Sequence, residues 1–375
     1  MTEHVPTPAA DATALERVMF EVKRVIVGQE RMVERLVVSL LAQGHCLLEG
    51  VPGVAKTLAV ETLAKTVTGS FARLQFTPDL VPSDIMGTRI YRPGSEQFET
   101  ELGPIMANFV LADEINRAPA KVQSALLEVM AERHVTIGGR RYDVPNPFLV
   151  LATQNPIESE GVYPLPEAQR DRFLMKIVVD YPSAAEAREI IYRMGAAPPT
   201  ANPVISTGEL IRLQEAVSRV FVHHAIVDYV VRLVLATRNP QQVGLPDVAQ
   251  WVSYGASPRA SLGLIAAGRA LALMRGRDYV LPQDVLDIAV DVLAHRLVLS
   301  YDAVADGVPA SHAVRRLLQA VPLPQVSPRQ RAGGPPPAPP LVYGQAAPPQ
   351  QGTAPNQPGA QPAGPQPPRW GERSA

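Results

Sequence analysis

The chain has 375 residues with 35 Lys and Arg against 36 Asp and Glu, a formal net charge of −1, so no global field draws it to nucleic acid or anionic lipid. Its length suits one large α/β domain with a smaller companion, and its one cysteine, Cys46, excludes an intramolecular disulfide. No run approaches the ~20 apolar residues that span a bilayer, and the opening segment carries Glu3, Asp11 and Glu16 without an apolar stretch, so the chain is read as cytoplasmic with no membrane span.

In chain order, helical periodicity predicts helices over residues 14–25 and 30–43, followed by an apolar strand over 45–49 in which Cys46 is expected to be a buried, inert thiol. A helix over 57–67 and a strand over 71–75 come next, then a strand over 108–113, a helix over 119–132 and strands over 148–153 and 175–179. These strands are mostly apolar rather than alternating, as expected of a parallel sheet covered on both faces. A helix over 182–194 opens after a Pro-Ser cap signal, and the Ala- and Pro-rich stretch 196–203 breaks the periodicity as a linker.

Beyond the linker the pattern is wholly helical, with about four helices over 207–220, 224–237, 259–274 and 282–296. The organisation is therefore an α/β nucleotide-binding core over 1–198, a small all-α domain over 204–320 and a Pro-rich tail over 322–375. The tail is built of Pro, Gln, Gly and Ala, cannot bury an apolar face and is expected to be a disordered, solvated tether, with a polyproline ligand as the alternative.

The first strand runs into Gly50, Val51, Pro52, Gly53, Val54, Ala55, Lys56 and Thr57, the strand, turn and helix order of a phosphate-binding loop. In such a loop backbone N–H groups meet the phosphates, Lys56 neutralises β and γ oxygens, and the Thr57 hydroxyl can ligate Mg²⁺. Ala55 stands in the slot before the lysine that usually holds glycine, so the motif by itself is also compatible with an ordinary strand-to-helix turn.

The strand 108–113 ends in Asp113 and Glu114, whose side chains diverge on an extended chain and can take separate duties. Asp113 is assigned to the Mg²⁺ shell and Glu114 to polarising the attacking water, against the alternative of a solvated acidic turn. The strand 148–153 leads into Asn155, an amide placed to hold that water or a γ oxygen, unless it only opens an Asn-Pro turn. Two arginines stand where a guanidinium could reach phosphate: Arg172, on a short helix before the last strand, and Arg259, which opens a helix of the small domain. Arg172 is favoured as an arginine finger supplied to another protomer, with Arg170 as the competing choice and surface ion pairs with Glu167 or Asp171 as the alternative for both.

Taken together, the motifs over residues 15–299 resemble the MoxR family of AAA+ ATPases. The resemblance rests on Val27, Gly28 and Gln29, the loop Gly50 to Thr57, the Phe76-Thr-Pro-Asp segment, Asp113-Glu-Ile-Asn, Thr153-Gln-Asn155, Asp171-Arg-Phe173 and Ser257-Pro-Arg259. It implies an AAA+ fold with a helical lid, Mg·ATP hydrolysis and a homo-oligomer, in all expectation a hexameric ring. It also implies that Val27 and Gly28 lie near the adenine, that Asn155 is sensor 1, Arg172 the finger and Arg259 sensor 2. An insertion over 90–102 and a hairpin over 135–144 belong to the same expectation, and Ala55 is usual in the MoxR-like loop. The family implies chaperone-like remodelling of a protein client, with a von Willebrand factor A domain protein as the expected partner.

Three other readings compete. A nucleic-acid-associated AAA+ motor would use the basic hairpin at Arg140 and Arg141, which is weak support in a neutral chain. A chelatase-type metal-insertion ATPase subunit shares the motor architecture, and a nucleotide-gated scaffold would not need Glu114. The adjacent His223 and His224 diverge on a helix and make a poor metal pair, so Mg²⁺ is the sole metal expected.

Overall fold

Helices α1 (Pro8–Val25) and α2 (Glu30–Leu41) precede strand β1 (Cys46–Glu49), and α3 (Lys56–Lys65) follows it in the computed structural model, which describes residues 8–157, 161–195 and 199–325. Next come β2 (Val67–Thr68), β3 (Phe71–Gln75), the short α4 (Pro82–Met86) and a hairpin of β4 (Gly87–Arg92) and β5 (Gln97–Leu102). Strand β6 (Phe109–Asp113) leads to α5 (Ala120–Glu132), a second hairpin of β7 (His134–Ile137) and β8 (Arg140–Asp143), and β9 (Leu149–Gln154). Helix α6 (Glu167–Arg170), β10 (Met175–Val178) and α7 (Ala184–Met194) close this half of the chain.

Five strands form one parallel sheet in the order β10-β1-β9-β6-β3. All five strands were expected, and β6 shows the covered run in full, its residues Phe-Val-Leu-Ala-Asp all buried; the edge strand β3 instead exposes Phe71, Arg73 and Gln75, which corrects the expectation that each strand is covered on both faces. Side chains alternate between faces: Phe109 and Leu111 join one apolar cluster, Val110 and Ala112 the other. The first cluster packs against α1, α2 and α3, the second against α4 and α5. Truncating a fully buried side chain such as Leu111 would cost about 2–5 kcal/mol.

The sheet's order puts β1 in the interior, so its flanking turns are both fixed by neighbours. At its start, the buried His45 accepts from the Val150 amide through Nδ1 (3.0 Å) and donates through Nε2 to the Met130 carbonyl (3.1 Å). That pairing needs the neutral ring, and burial holds the His45 pKa down to about 3. Cys46 is a buried free thiol, and burial pushes it above the ordinary range against the opposing hydrogen bond with Ser39, as an inert core cysteine requires.

After the linker, β11 (Ile205–Ser206) pairs with β2 and the chain becomes helical: α8 (Thr207–Arg219), α9 (His224–Arg238), α10 (Pro246–Trp251), α11 (Pro258–Met274) and α12 (Pro282–Leu293). Strands β12 (Val252–Tyr254) and β13 (Val298–Leu299) pair across it, and α13 (Tyr301–Ala305) and α14 (Ala310–Ala320) end the described chain. The expectation of about four helices is therefore corrected: three more are present. Two of these have six residues or fewer, too short to show a helical period; α14 does carry one, with Ala313, Val314 and Leu317 buried on one face, and was missed. The apolar cluster of α8, α9, α11 and α12 is continuous with the α1–α3 face of the sheet. From residue 326 onward, the tail expected to be disordered lies outside the described residues, as do residues 196–198 of the linker.

The two implied additions appear as antiparallel hairpins, β4–β5 and β7–β8, which touch through the Tyr142 hydroxyl donating to Thr100 Oγ1 (3.1 Å). Among the described residues no helix is long and apolar enough to cross a membrane.

Candidate functional site

Parallel strands deliver their C-terminal ends to one edge of the sheet, and the residues singled out in β1, β6 and β9 meet there. Gly50 turns the chain out of β1 where a Cβ would lie 2.5 Å from the Val179 carbonyl oxygen, so only glycine fits. The loop then passes through two left-handed residues, Gly53 (φ +83) and Ala55 (φ 62), before α3 begins at Lys56. Such a change of handedness makes a concave set of amide N–H groups that suits an anion. Holding alanine rather than glycine in that conformation costs about 1–2 kcal/mol. Lys56 Nζ donates to the loop's own carbonyls, Val51 O at 3.1 Å and Gly50 O.

Asp113 is 6% exposed, and its two oxygens face different partners. Oδ1 accepts from the Thr153 hydroxyl at 2.5 Å and Oδ2 from Arg73 Nη2 at 2.8 Å, while Thr57 Oγ1 reaches both, at 3.5 Å to Oδ1 and 3.2 Å to Oδ2. Glu114 follows in the left-handed region (φ 56), a strained backbone of the kind found where function dictates direction. Its amide donates to Thr153 Oγ1 at 2.9 Å, and its Oε2 accepts from Gln75 Nε2 at 2.8 Å and Arg117 Nε at 3.0 Å. Asn155 is 4% exposed; its Oδ1 accepts from the Ile157 amide, while Nδ2 has no partner among the described residues.

These groups line one cavity of about 490 Å³, walled by the loop from Pro52 to Leu58 and by Arg73, Gln75, Asp113, Glu114, Thr153, Gln154 and Asn155. Gly50, Val51, Val27 and Gly28 are not in its wall. Val27 and Gly28 lie in the turn between α1 and α2, where Gln29 Nε2 donates to Asp180 O (2.8 Å) just past β10, at the same edge of the sheet. The residues present fit a magnesium nucleotide: a buried amide donor without a partner, a left-handed anion loop, and a hydroxyl and carboxylate already facing each other.

The two arginines lie elsewhere. Leu174 N donates to His45 O (2.8 Å), which ties the start of β10 to the start of β1, and a second cavity of about 330 Å³ opens beside that joint. Arg172 and Arg259 both line it. Arg172 is exposed and donates to Leu127 O at 2.6 Å; Arg259, with its side chain 53% exposed, stands 3.7 Å from Asp171. Asp171 is held in turn by Ser257 Oγ (2.9 Å) and by the buried Arg296, whose Nε donates at 2.9 Å. Arg172 and Arg259 thus come together at the N-terminal edge of the strands, at least about 10 Å, the length of β1, from their own chain's phosphate loop. Arg170 is engaged with Glu167 at 3.3 Å and does not line this cavity.

Thr153, Arg73, Gln75 and Arg117 belong to the site and were not anticipated. A signal existed for two of them: in Phe71-Ala-Arg-Leu-Gln75 the polar residues recur at every second position, which puts Arg73 and Gln75 on one face of a sheet strand.

The strand order, the loop after β1 and the acidic pair after β6 define a P-loop ATPase of the AAA type. A model of the ATPase family associated with various cellular activities (AAA) matches residues 45–175, and a model of the AAA lid domain matches residues 246–317. The chain belongs to the MoxR family of AAA+ ATPases: it is 68% identical to Chaperone MoxR1 of Mycobacterium tuberculosis over 330 residues, 88% of each chain. It is 36% identical to Protein MoxR of Paracoccus denitrificans over 74% of this chain and 86% of that one. The solved structure of a candidate ATPase from Cytophaga hutchinsonii superposes with a TM-score of 0.79 at 45% identity, covering 84% of this chain and 96% of that one.

Proposed function

We propose that the chain hydrolyses Mg·ATP in the cavity at Lys56 and uses that cycle as a ring-forming, chaperone-like motor that remodels a protein client. The observation that carries the reading is the convergence of Thr57, Asp113, Glu114 and the unpartnered Asn155 amide on one cavity behind a left-handed phosphate loop.

In this reading Lys56 exchanges the Gly50 and Val51 carbonyls for phosphate oxygens, and the loop amides of Gly53, Val54 and Ala55 take the remaining phosphate contacts. Thr57 Oγ1 and Asp113 hold Mg²⁺, which when bound neutralises charge on the β and γ oxygens. Glu114 takes the proton of the attacking water, with the Thr153 hydroxyl keeping the backbone turn that aims it. Asn155 Nδ2 orients the water or a γ oxygen, and Val27 and Gly28 lie beside the base.

Arg172 and Arg259 stand together at the opposite edge of the sheet, which supports their serving a neighbouring subunit's phosphates and hence a homo-oligomer, read as a hexameric ring. Remodelling of a protein client is carried over from the relative named a chaperone. A partner with a von Willebrand factor A domain rests on the family resemblance alone. The nucleic-acid reading is weakened because Arg141 pairs with Asp143 at 2.7 Å and Arg140 stacks on Tyr142.

The test is phosphate release by the wild type, Lys56→Ala and Glu114→Gln, followed by affinity capture on Glu114→Gln held in ATP. Turnover by Lys56→Ala at the wild-type rate would end the site assignment, and recovery of nucleic acid with no protein client would end the remodelling reading.

A further inference from the structure

The metal-binding carboxylate is already paired with a cation supplied by this chain. Of the two Asp113 oxygens, Oδ1 accepts from the Thr153 hydroxyl at 2.5 Å and lies 3.5 Å from Thr57 Oγ1, while Oδ2, with no bond to Thr153, is the nearer to Thr57 at 3.2 Å. Arg73 Nη2 sits on that same Oδ2 at 2.8 Å. The pairing is dictated by the sheet: β3 is its edge strand, and the parallel register sets Arg73 beside Leu111 and Gln75 beside Asp113, so the long guanidinium stem reaches forward to the end of β6. The Arg73 side chain is 49% exposed while that of Asp113 is only 9% exposed, so one partner is fixed and the other can swing into solvent.

Electrostatics makes the two cations rivals. A divalent ion held between Thr57 and Asp113 would share one carboxylate oxygen with a guanidinium, and like charges a few ångströms apart in a half-buried cleft repel more strongly than they would in open solvent. Glu114 keeps Arg117 at 3.0 Å, but without Arg73 the Asp113 carboxylate would face the incoming phosphates uncompensated, and a nucleotide lacking metal would be repelled. Arg73 cancels part of that repulsion.

We propose that Arg73 is the resident counter-ion of the magnesium site: it covers the Asp113 oxygen facing Thr57 until the metal arrives with the nucleotide, and so sets how strongly nucleotide binding depends on magnesium. Arg73 is a positioning residue in this scheme, acting through Asp113. The inference rests on the nucleotide reading given above.

The experiment measures binding rather than turnover. Affinity for the non-hydrolysable ATP analogue AMP-PNP is determined by calorimetry in excess Mg²⁺ and in EDTA, and the ratio of the two dissociation constants is compared across variants. In Arg73→Gln the ratio rises about tenfold, because metal-free nucleotide meets an Asp113 stripped of its counter-ion and Mg²⁺ meets no competitor; tenfold corresponds to about 1.4 kcal/mol. In Arg73→Lys, which keeps a cation on a similar stem, the ratio stays near the wild-type value. An unchanged or smaller ratio in Arg73→Gln overturns the proposal, as would equal weakening in both conditions, which marks Arg73 as a direct phosphate ligand. A rise in Arg73→Lys equal to that in Arg73→Gln also overturns it. Lys56→Ala separates the two levels: if it binds the analogue as the wild type does, the site reading itself fails, whereas loss of binding there with an unmoved Arg73→Gln ratio removes only the counter-ion.

Discussion

Replacing Arg296 by methionine tests how the lid is fastened to the edge of the sheet that carries Arg172. The side chain is 3% exposed and makes an ion pair with Asp171 (2.9 Å) as well as hydrogen bonds to the carbonyls of Phe173 (2.7 Å) and Leu174 (3.0 Å). Burial works against its charge, lowering its pKa, and Asp171 opposes that loss. Methionine keeps most of the volume but leaves Asp171 with Ser257 and the more distant Arg259, and takes a donor from the carbonyls of Phe173, Leu174 and Val292. Breaking a buried pair from one side costs about 3–5 kcal/mol; because Asp171 keeps Ser257 and is partly exposed, the lower end, about 3 kcal/mol, is expected.

Urea unfolding of Arg296→Met, Asp171→Asn and the double variant gives the coupling directly, with a lowered midpoint at an unchanged slope. Nucleotide binding should survive in Arg296→Met, since the phosphate loop lies at the other edge of the sheet, while turnover falls as Arg172 and Arg259 lose their shared frame. A loss below about 1 kcal/mol with no coupling between the two positions would refute the view that this joint holds the lid.

Glu114→Gln should bind ATP as the wild type does and lose about 10² to 10⁴ in turnover, read as phosphate release beside a binding isotherm. Arg172→Ala should lose about 10³ or more, and mixing it with Lys56→Ala should restore part of the rate, because an intact Lys56 from one subunit meets an intact Arg172 from the other; no recovery on mixing would contradict a finger acting between subunits. Ala55→Gly should raise the unfolding free energy by about 1 kcal/mol by relieving the left-handed alanine, and an equal loss in chemical denaturation would show that the conformation is not strained. His45 has a folded pKa of about 3, below its unfolded value, so its share of stability is complete above about pH 6.5 and is lost as pH falls toward 3, at about 1.4 kcal/mol per pH unit. In His45→Asn that part of the acid slope should vanish, which a pH series of urea midpoints measures.

The five core strands, the phosphate loop and the acidic pair were legible in the sequence because each is local. A strand covered on both faces must be a short apolar run, as in Phe109 to Ala112, and the loop chemistry of Gly50 to Thr57 sits in consecutive residues. The resemblance carried by these motifs likewise named the family correctly. The surroundings of those motifs depended on tertiary structure. Thr153 and Arg73 each lie 40 residues from Asp113 and reach it only because β9 and β3 flank β6 in the sheet, a neighbour relation that no spacing along the chain encodes. In the same way Arg172 and Arg259 share one cavity because α11 packs where β10 begins, at the edge away from their own Lys56. Local sequence specifies elements by their burial and turns; strand order and lid packing, set by the whole apolar core at once, decide which charges meet.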